Sequence, residues 1–204
     1  MRWCVAVLLC ASAAVAGNGQ QLFYSKSFPG SVPAYVEINL DKSGNGEYRE
    51  APNEDNPLKF QTSEIEVNEI FGLAEKLGNF SRPLESPLKV AFMGMKTFRW
   101  RNGAQKNEAK FNYSEDPDAK LLADWFERIT ETEQHVINLE RAAKYDRLGV
   151  NKALLLIQVS IDRKRLIAPQ QLLPALDKIS KNEAYMHMAR QRASTLAETI
   201  RASK

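Results

Sequence analysis

Hydrophobic and polar positions alternate strictly from Ala34 to Leu40. Ala34, Val36, Ile38 and Leu40 fall on one side, Tyr35, Glu37 and Asn39 on the other. A period of two is that of a strand with one buried face. Asn45-Gly46 tolerates positive φ, so a tight turn is predicted there, with Glu47-Tyr48-Arg49 as the return strand. The period then changes. Val67, Ile70, Phe71, Ala74 and Leu77 recur at helical spacing behind Ser63 and Glu66, whose side chains form a capping box, and Gly78 offers a left-handed stop. Alternation returns with Val90, Phe92, Phe98 and Trp100 on one face and Ala91, Met93, Met95 and Thr97 on the other. Asn102-Gly103 marks a turn, and Ala109, Phe111 and Tyr113 continue the pattern. Apolar residues on both faces from Val90 to Met95 imply a strand covered on two sides.

Beyond Asp116-Pro117, a cap and first-position pair, the spacing is helical. Leu122, Trp125, Ile129, Thr132, Val136, Leu139 and Ala143 predict one long helix ending near Gly149. Residues 152–168 fit strand or helix, and the Ala-Leu-rich start favours helix. Pro169 opens a further helix through Leu172, Leu173, Leu176 and Ile179. Ser180 and Glu183 read as a capping box for a last one carrying Tyr185, Met188, Ala189, Arg192 and Leu196. The expected class is α+β: an antiparallel sheet of two hairpins with a packed helix (residues 17–116), then an all-helical segment (117–204) packed on it.

Residues 1–16 stand apart. Arg2, the apolar run Trp3 to Val15 and the small residues Ala14 and Ala16 read as a signal peptide, cleaved before Gly17. Its apolar run is too short to span a bilayer, and no second long one follows. The expectation is an exported protein, periplasmic or secreted, with no transmembrane segment in the mature chain. Cleavage removes Cys4 and Cys10, the only cysteines, and with them thiol, disulfide and cysteine–metal chemistry. The net charge of +3 is spread over a mildly acidic front half and a mildly basic back half, which reads as solvated faces.

From "FPGSVPAYVEINLDKSGNGEYRE" to "DPDAKLLADWFERI", roughly residues 28–130, the chain resembles a domain of unknown function found in exported bacterial proteins. The shared pattern is a Pro-flanked aromatic strand, a Gly-bearing turn, a Tyr on the return strand, a helix and another hairpin. The resemblance implies a fold and a compartment, and brings no catalytic residue with it.

Chemistry-bearing patterns are sparse. Asp41, Ser43, Asn45 and Gly46 copy the front of an EF-hand loop, but its twelfth position, where a bidentate Glu belongs, is Pro52. A turn is expected instead. His135 and His187 are the only histidines, and no nucleophile elbow, H-E-x-x-H, phosphate loop or dinucleotide fingerprint is present. His135 reads as exposed or flanking on its helix. Met93 with Met95, and Met186, His187 and Met188, are the ligand types that hold Cu(I), yet methionine serves more often as core filler. Glu50, Glu54 and Asp55 lie in a Pro- and Asn-rich loop, Asn79 and Asn112 head glycosylation-type triplets, and Arg163, Lys164 and Arg165 read as a solvated cluster. No catalytic, cofactor-binding or metal-ligating residue is assigned, and no cofactor. The expected role is a non-enzymatic envelope protein binding a protein or peptide partner, with nucleic acid excluded by export. A carboxylate-based hydrolase is the alternative, and metal handling a more distant one.

Overall fold

Six strands are hydrogen-bonded in the order β4-β3-β2-β1-β5-β6, every neighbour antiparallel, in a computed structural model that describes residues 19–203. They are β1 (Gln21–Ser27), β2 (Tyr35–Asp41), β3 (Asn45–Arg49), β4 (Leu58–Gln61), β5 (Met95–Asn102) and β6 (Gln105–Phe111). The α+β class is therefore the observed one. Residues 1–16, where a signal peptide is expected, lie outside the described residues. Among those described, no helix is long and apolar enough to cross a membrane.

The sheet is larger than two hairpins. β1 sits at its centre, pairing Tyr24 with Ile38 on one side and with Phe98 on the other. Period-two burial gives Leu22, Tyr24, Val36, Ile38, Tyr48, Phe98 and Trp100 to the core, while Phe23, Tyr35, Glu37, Arg49 and Arg99 line the opposite face. That face carries charge pairs such as Arg49–Glu37 at 3.4 Å and Arg99–Glu108 at 2.6 Å.

Two expected strand details are corrected. The first turn falls at Lys42-Ser43-Gly44, and Asn45 and Gly46 already belong to β3. Asp41 Oδ1 accepts from the backbone N–H groups of Ser43 and Asn45, which closes the turn, and Gly44 takes the left-handed conformation at φ 85°. The carboxylate suggestive of calcium thus serves its own backbone. The second hairpin starts at Met95, not Val90. Residues 87–94 run irregularly with Val90, Phe92 and Met93 about half exposed, so no strand is covered on two faces there. Gly94, at φ 96°, breaks the run and packs against Phe28 and Lys26, where a Cβ would come within 3.1 Å.

α1 (Glu64–Lys76) has the expected reciprocal Ser63–Glu66 cap, and Gly78 ends it at positive φ. α2 (Pro117–Tyr145) starts with Asp116 accepting from the N–H groups of Asp118 and Ala119. It ends at Tyr145, short of Gly149. α3 (Val150–Asp162) bears out helix for the ambiguous stretch only as far as Asp162, residues 163–168 being irregular, and α4 (Leu173–Lys181) follows a short 3₁₀ turn at Pro169–Leu172. α5 (His187–Ala202) has no side-chain cap. Ser180 lies inside α4 and donates to Asp177 O, so the Ser180–Glu183 box does not form.

Two hydrophobic cores result. One joins the sheet, α1 and the first half of α2 through Leu122, Trp125, Phe126 and Ile129. The other joins α3, α4 and α5 to the second half of α2 through Val136 and Leu139. Trp125 and Phe126 belong to the sheet core, and Phe126 stacks on Tyr24 of β1 at 4.8 Å and meets Phe98 of β5 at 6.0 Å between ring centres. Thr132, between the cores, accepts from Ile167 N–H at 3.0 Å and donates to Arg128 O.

Candidate functional site

Where β1 ends and β2 begins, the Phe28–Ala34 loop stands off the middle of α2. A cleft of about 320 Å³ opens between them. Its sheet side is built by Tyr24, Lys26, Phe28 and Val36, and its helix side by Glu127, Glu131 and Gln134. These last three recur at i, i+4 and i+7, so one helical face presents them together. Arg165, just past α3, closes one end, and Val32 and Pro33 form a lip.

Charge in the cleft is paired. Lys26 Nζ lies 2.9 Å from Glu127 Oε1. Arg165 reaches Asp124 at 2.6 Å and Glu131 at 3.1 Å. The reading of Arg163-Lys164-Arg165 as a solvated cluster therefore holds for the first two only. Burial pushes the Glu131 carboxyl up, but hydrogen bonds from Ser160 and Arg165 outweigh it and keep the group below its ordinary range. Gln134 donates its amide to Tyr48 Oη at 2.9 Å and also to Glu50. Tyr24 lines the cleft with 0% of its surface exposed, which places it at the floor, and its hydroxyl has no hydrogen-bond partner. Burial, then the charge of Glu127, raises its phenol well above the ordinary value, so the hydroxyl keeps its proton.

Behind Glu131 lies a serine–histidine contact. His135 Nε2 is 2.9 Å from Ser160 Oγ, and Ser160 donates to Glu131 Oε1 at 2.6 Å. His135 is not an exposed flanking residue: its side chain is 13% exposed and packed on α3. The geometry is not that of a nucleophile. Ser160 has one proton and gives it to Glu131, so the imidazole donates to the serine instead of taking its proton. The carboxylate also approaches the serine side of the ring, whereas a triad holds it at the other nitrogen. Burial lowers the His135 pKa against the opposing pull of Glu131, which keeps the ring neutral. The cluster is a clamp between α2 and α3.

The most perturbed carboxylate is elsewhere. Glu133 has no exposed surface, accepts from Gln171 at 2.6 Å through one oxygen, and leaves the other unpartnered. Burial lifts its pKa to about 7, against the lowering effect of the Gln171 bond.

The remaining sequence features do not converge. Glu54 and Asp55 are exposed, and Glu50 serves Gln134. Met93 precedes the Gly94 break while Met95 opens β5, and Met186 and Met188 lie at the start of α5; all four are 39–60% exposed, so none is core filler. No group of three or more His, Cys, Asp or Glu able to hold a metal exists among the described residues. Asn112 commits its amide, accepting from Met93 N–H and donating to Ala91 O. Sequence reasoning missed the cleft. The one available signal was Leu22-x-Tyr24-x-Lys26, an alternation that marks β1.

No protein-family model matches the chain, and no curated protein matches it. The resemblance of residues 28–130 to an exported domain thus has no matched family behind it, and the functional reading rests on geometry.

Proposed function

We propose that this chain is an exported, non-enzymatic module that binds a protein or peptide segment in the cleft between β1–β2 and α2. The observation that carries the reading is the pairing of the cleft's charged side chains: Lys26 with Glu127, and Arg165 with Glu131 and Asp124. A carboxylate hydrolase needs two acids in one cleft, one of them holding a proton. Glu127 and Glu131 share the cleft, but each faces a cation. The carboxyl that holds its proton near neutrality, Glu133, is sealed inside the helix packing. A cleft of paired charges with an apolar lip suits recognition better than proton transfer. Export is supported by the apolar leader with Ala14 and Ala16 ahead of Gly17.

Panning the protein against displayed random peptides tests the reading. A shared motif whose binding is lost when Val32 and Lys26 are replaced together supports it. Turnover of chromogenic glycosides or esters, abolished by Glu131→Gln, overturns it in favour of the hydrolase. N-terminal sequencing of exported protein should begin at Gly17, and a retained Met1 removes the export half of the proposal.

A further inference from the structure

The cleft lacks a hydrogen bond, not a charge. Its cations and carboxylates already meet one another, so an added anion must displace Glu127 from Lys26 or compete with two acids for Arg165. An added cation faces the mirror-image problem. What remains unsatisfied is the Tyr24 hydroxyl, buried at the floor with no partner. Leaving such a group unmade is costly, and native proteins rarely do so without reason. Gln134, from α2, spends its amide N–H groups on Tyr48 and Glu50, and its carbonyl oxygen makes no hydrogen bond among the described residues. One wall therefore offers a donor and the other an acceptor. Between them the lip is apolar: Val32 is 97% exposed, and Phe28 and Pro33 line the mouth beside it.

We infer that the cleft binds a neutral secondary amide flanked by an apolar side chain, as an extended peptide segment presents it. The amide carbonyl accepts from the Tyr24 hydroxyl, the amide N–H donates to Gln134 Oε1, and the side chain seats against Phe28 and Val32. Entry requires the Lys26–Glu127 pair to swing outward; the two side chains are 28% and 41% exposed, so Glu127 turns out to solvent while the Lys26 stem stays packed beside Gly94. This inference rests on the peptide-binding reading above and specifies what that site recognises.

The test is a titration of the ¹⁵N-labelled protein with N-acetyl-leucine-N′-methylamide, followed by NMR. Saturable shifts that are largest at residues around Tyr24, Phe28 and Gln134 are expected. Tyr24→Phe, which removes only the hydroxyl, should weaken binding by about threefold to tenfold. Val32→Ser, at a fully exposed position, should weaken it as well. Acetate and methylammonium, each alone, should give no saturable shift. Saturation by either ion, no shift with the amide, or unchanged affinity in Tyr24→Phe overturns the inference. N-acetylglucosamine binding as tightly as the leucine amide overturns the peptide assignment in favour of an N-acetyl sugar. Library-selected peptides that bind regardless of Tyr24→Phe would sink this inference while leaving the peptide-binding reading intact; failure of every peptide would sink both.

Discussion

Phe60 of β4 lies directly across from Gly46 of β3, and its ring covers the glycine so closely that an added Cβ would sit 2.1 Å from the ring tip. The ring is 6% exposed, so it is held by the core while it shields a bare stretch of backbone. This explains why the glycine of Asn45-Gly46 is in a strand and not in the turn. Gly46→Ala should destabilise the protein by about 1–3 kcal/mol, the usual cost of overpacking. Denaturant unfolding measures it; a loss below about 0.5 kcal/mol would mean the ring is free to move.

Glu133 makes stability depend on pH in a defined direction. Its folded pKa is about 7, raised by burial, so the folded chain holds a proton that the unfolded chain releases at lower pH. The stability associated with the protonated carboxyl is present in acid and is lost as pH rises through the ordinary glutamate range to about 7. Glu133→Gln keeps a neutral, hydrogen-bonding side chain and should remove that loss. A gain of roughly 3 kcal/mol over wild type is expected at pH 8, shrinking towards zero near pH 4. His135, whose pKa is lowered by burial, acts in the opposite sense over part of this range, so the informative quantity is the difference between variant and wild type. Equal midpoint differences at pH 4 and pH 8 would contradict the assignment.

Tyr24→Phe should stabilise the free protein. The ring keeps its stack on Phe126 at 4.8 Å, and the unpartnered hydroxyl disappears from the floor of the cleft. A gain of about 1 kcal/mol in thermal or chemical unfolding is the expected scale. A loss of similar size would reveal a partner for the hydroxyl inside the folded protein.

The two cores should unfold together. α2 supplies Leu122, Phe126 and Ile129 to the sheet core and Val136 and Leu139 to the helical one. Each buried side chain of this size contributes roughly 1.5–3 kcal/mol, so losing the helix removes as much as a small domain's net stability. A chain cut after residue 116 should bind a hydrophobic dye and show no sharp transition. The same midpoint in that fragment and in the chain of residues 17–204 would show the sheet to be independent.

Much of this architecture was legible locally. The Ala34–Leu40 alternation, the Ser63–Glu66 cap, Asp116-Pro117 and the long stripe of α2 all depend on neighbours a few residues away, and they appear where the pattern predicts. The misreadings arise where a distant contact decides. Val90 and Phe92 alternate like a strand, but Gly94 packs on Phe28 and turns the chain away from the sheet. Ser180 is spaced as a cap, yet its hydroxyl is taken by Asp177 one turn back. β1 passed unread because Phe23, on the charged face beneath Arg99, blurs an otherwise regular alternation. The cleft was illegible for a stronger reason: Lys26 and Glu127 are 101 positions apart, and only strand order and helix docking bring them together.

The 29 residues of α2 make a rod about 43 Å long. Glu127 and Glu131 border the cleft near the middle of the rod, and Val136 and Leu139 are anchored in the helical core about one to three turns further along it. A hydrogen-bonded helix transmits tilt with little bending. Pivoting it by about 5° near Ile129 moves a point ten residues away by roughly 1.3 Å, enough to disturb close-packed side chains. An occupant that tilted α2 would therefore also shift α3, α4 and α5, which pack on the second half of the same helix.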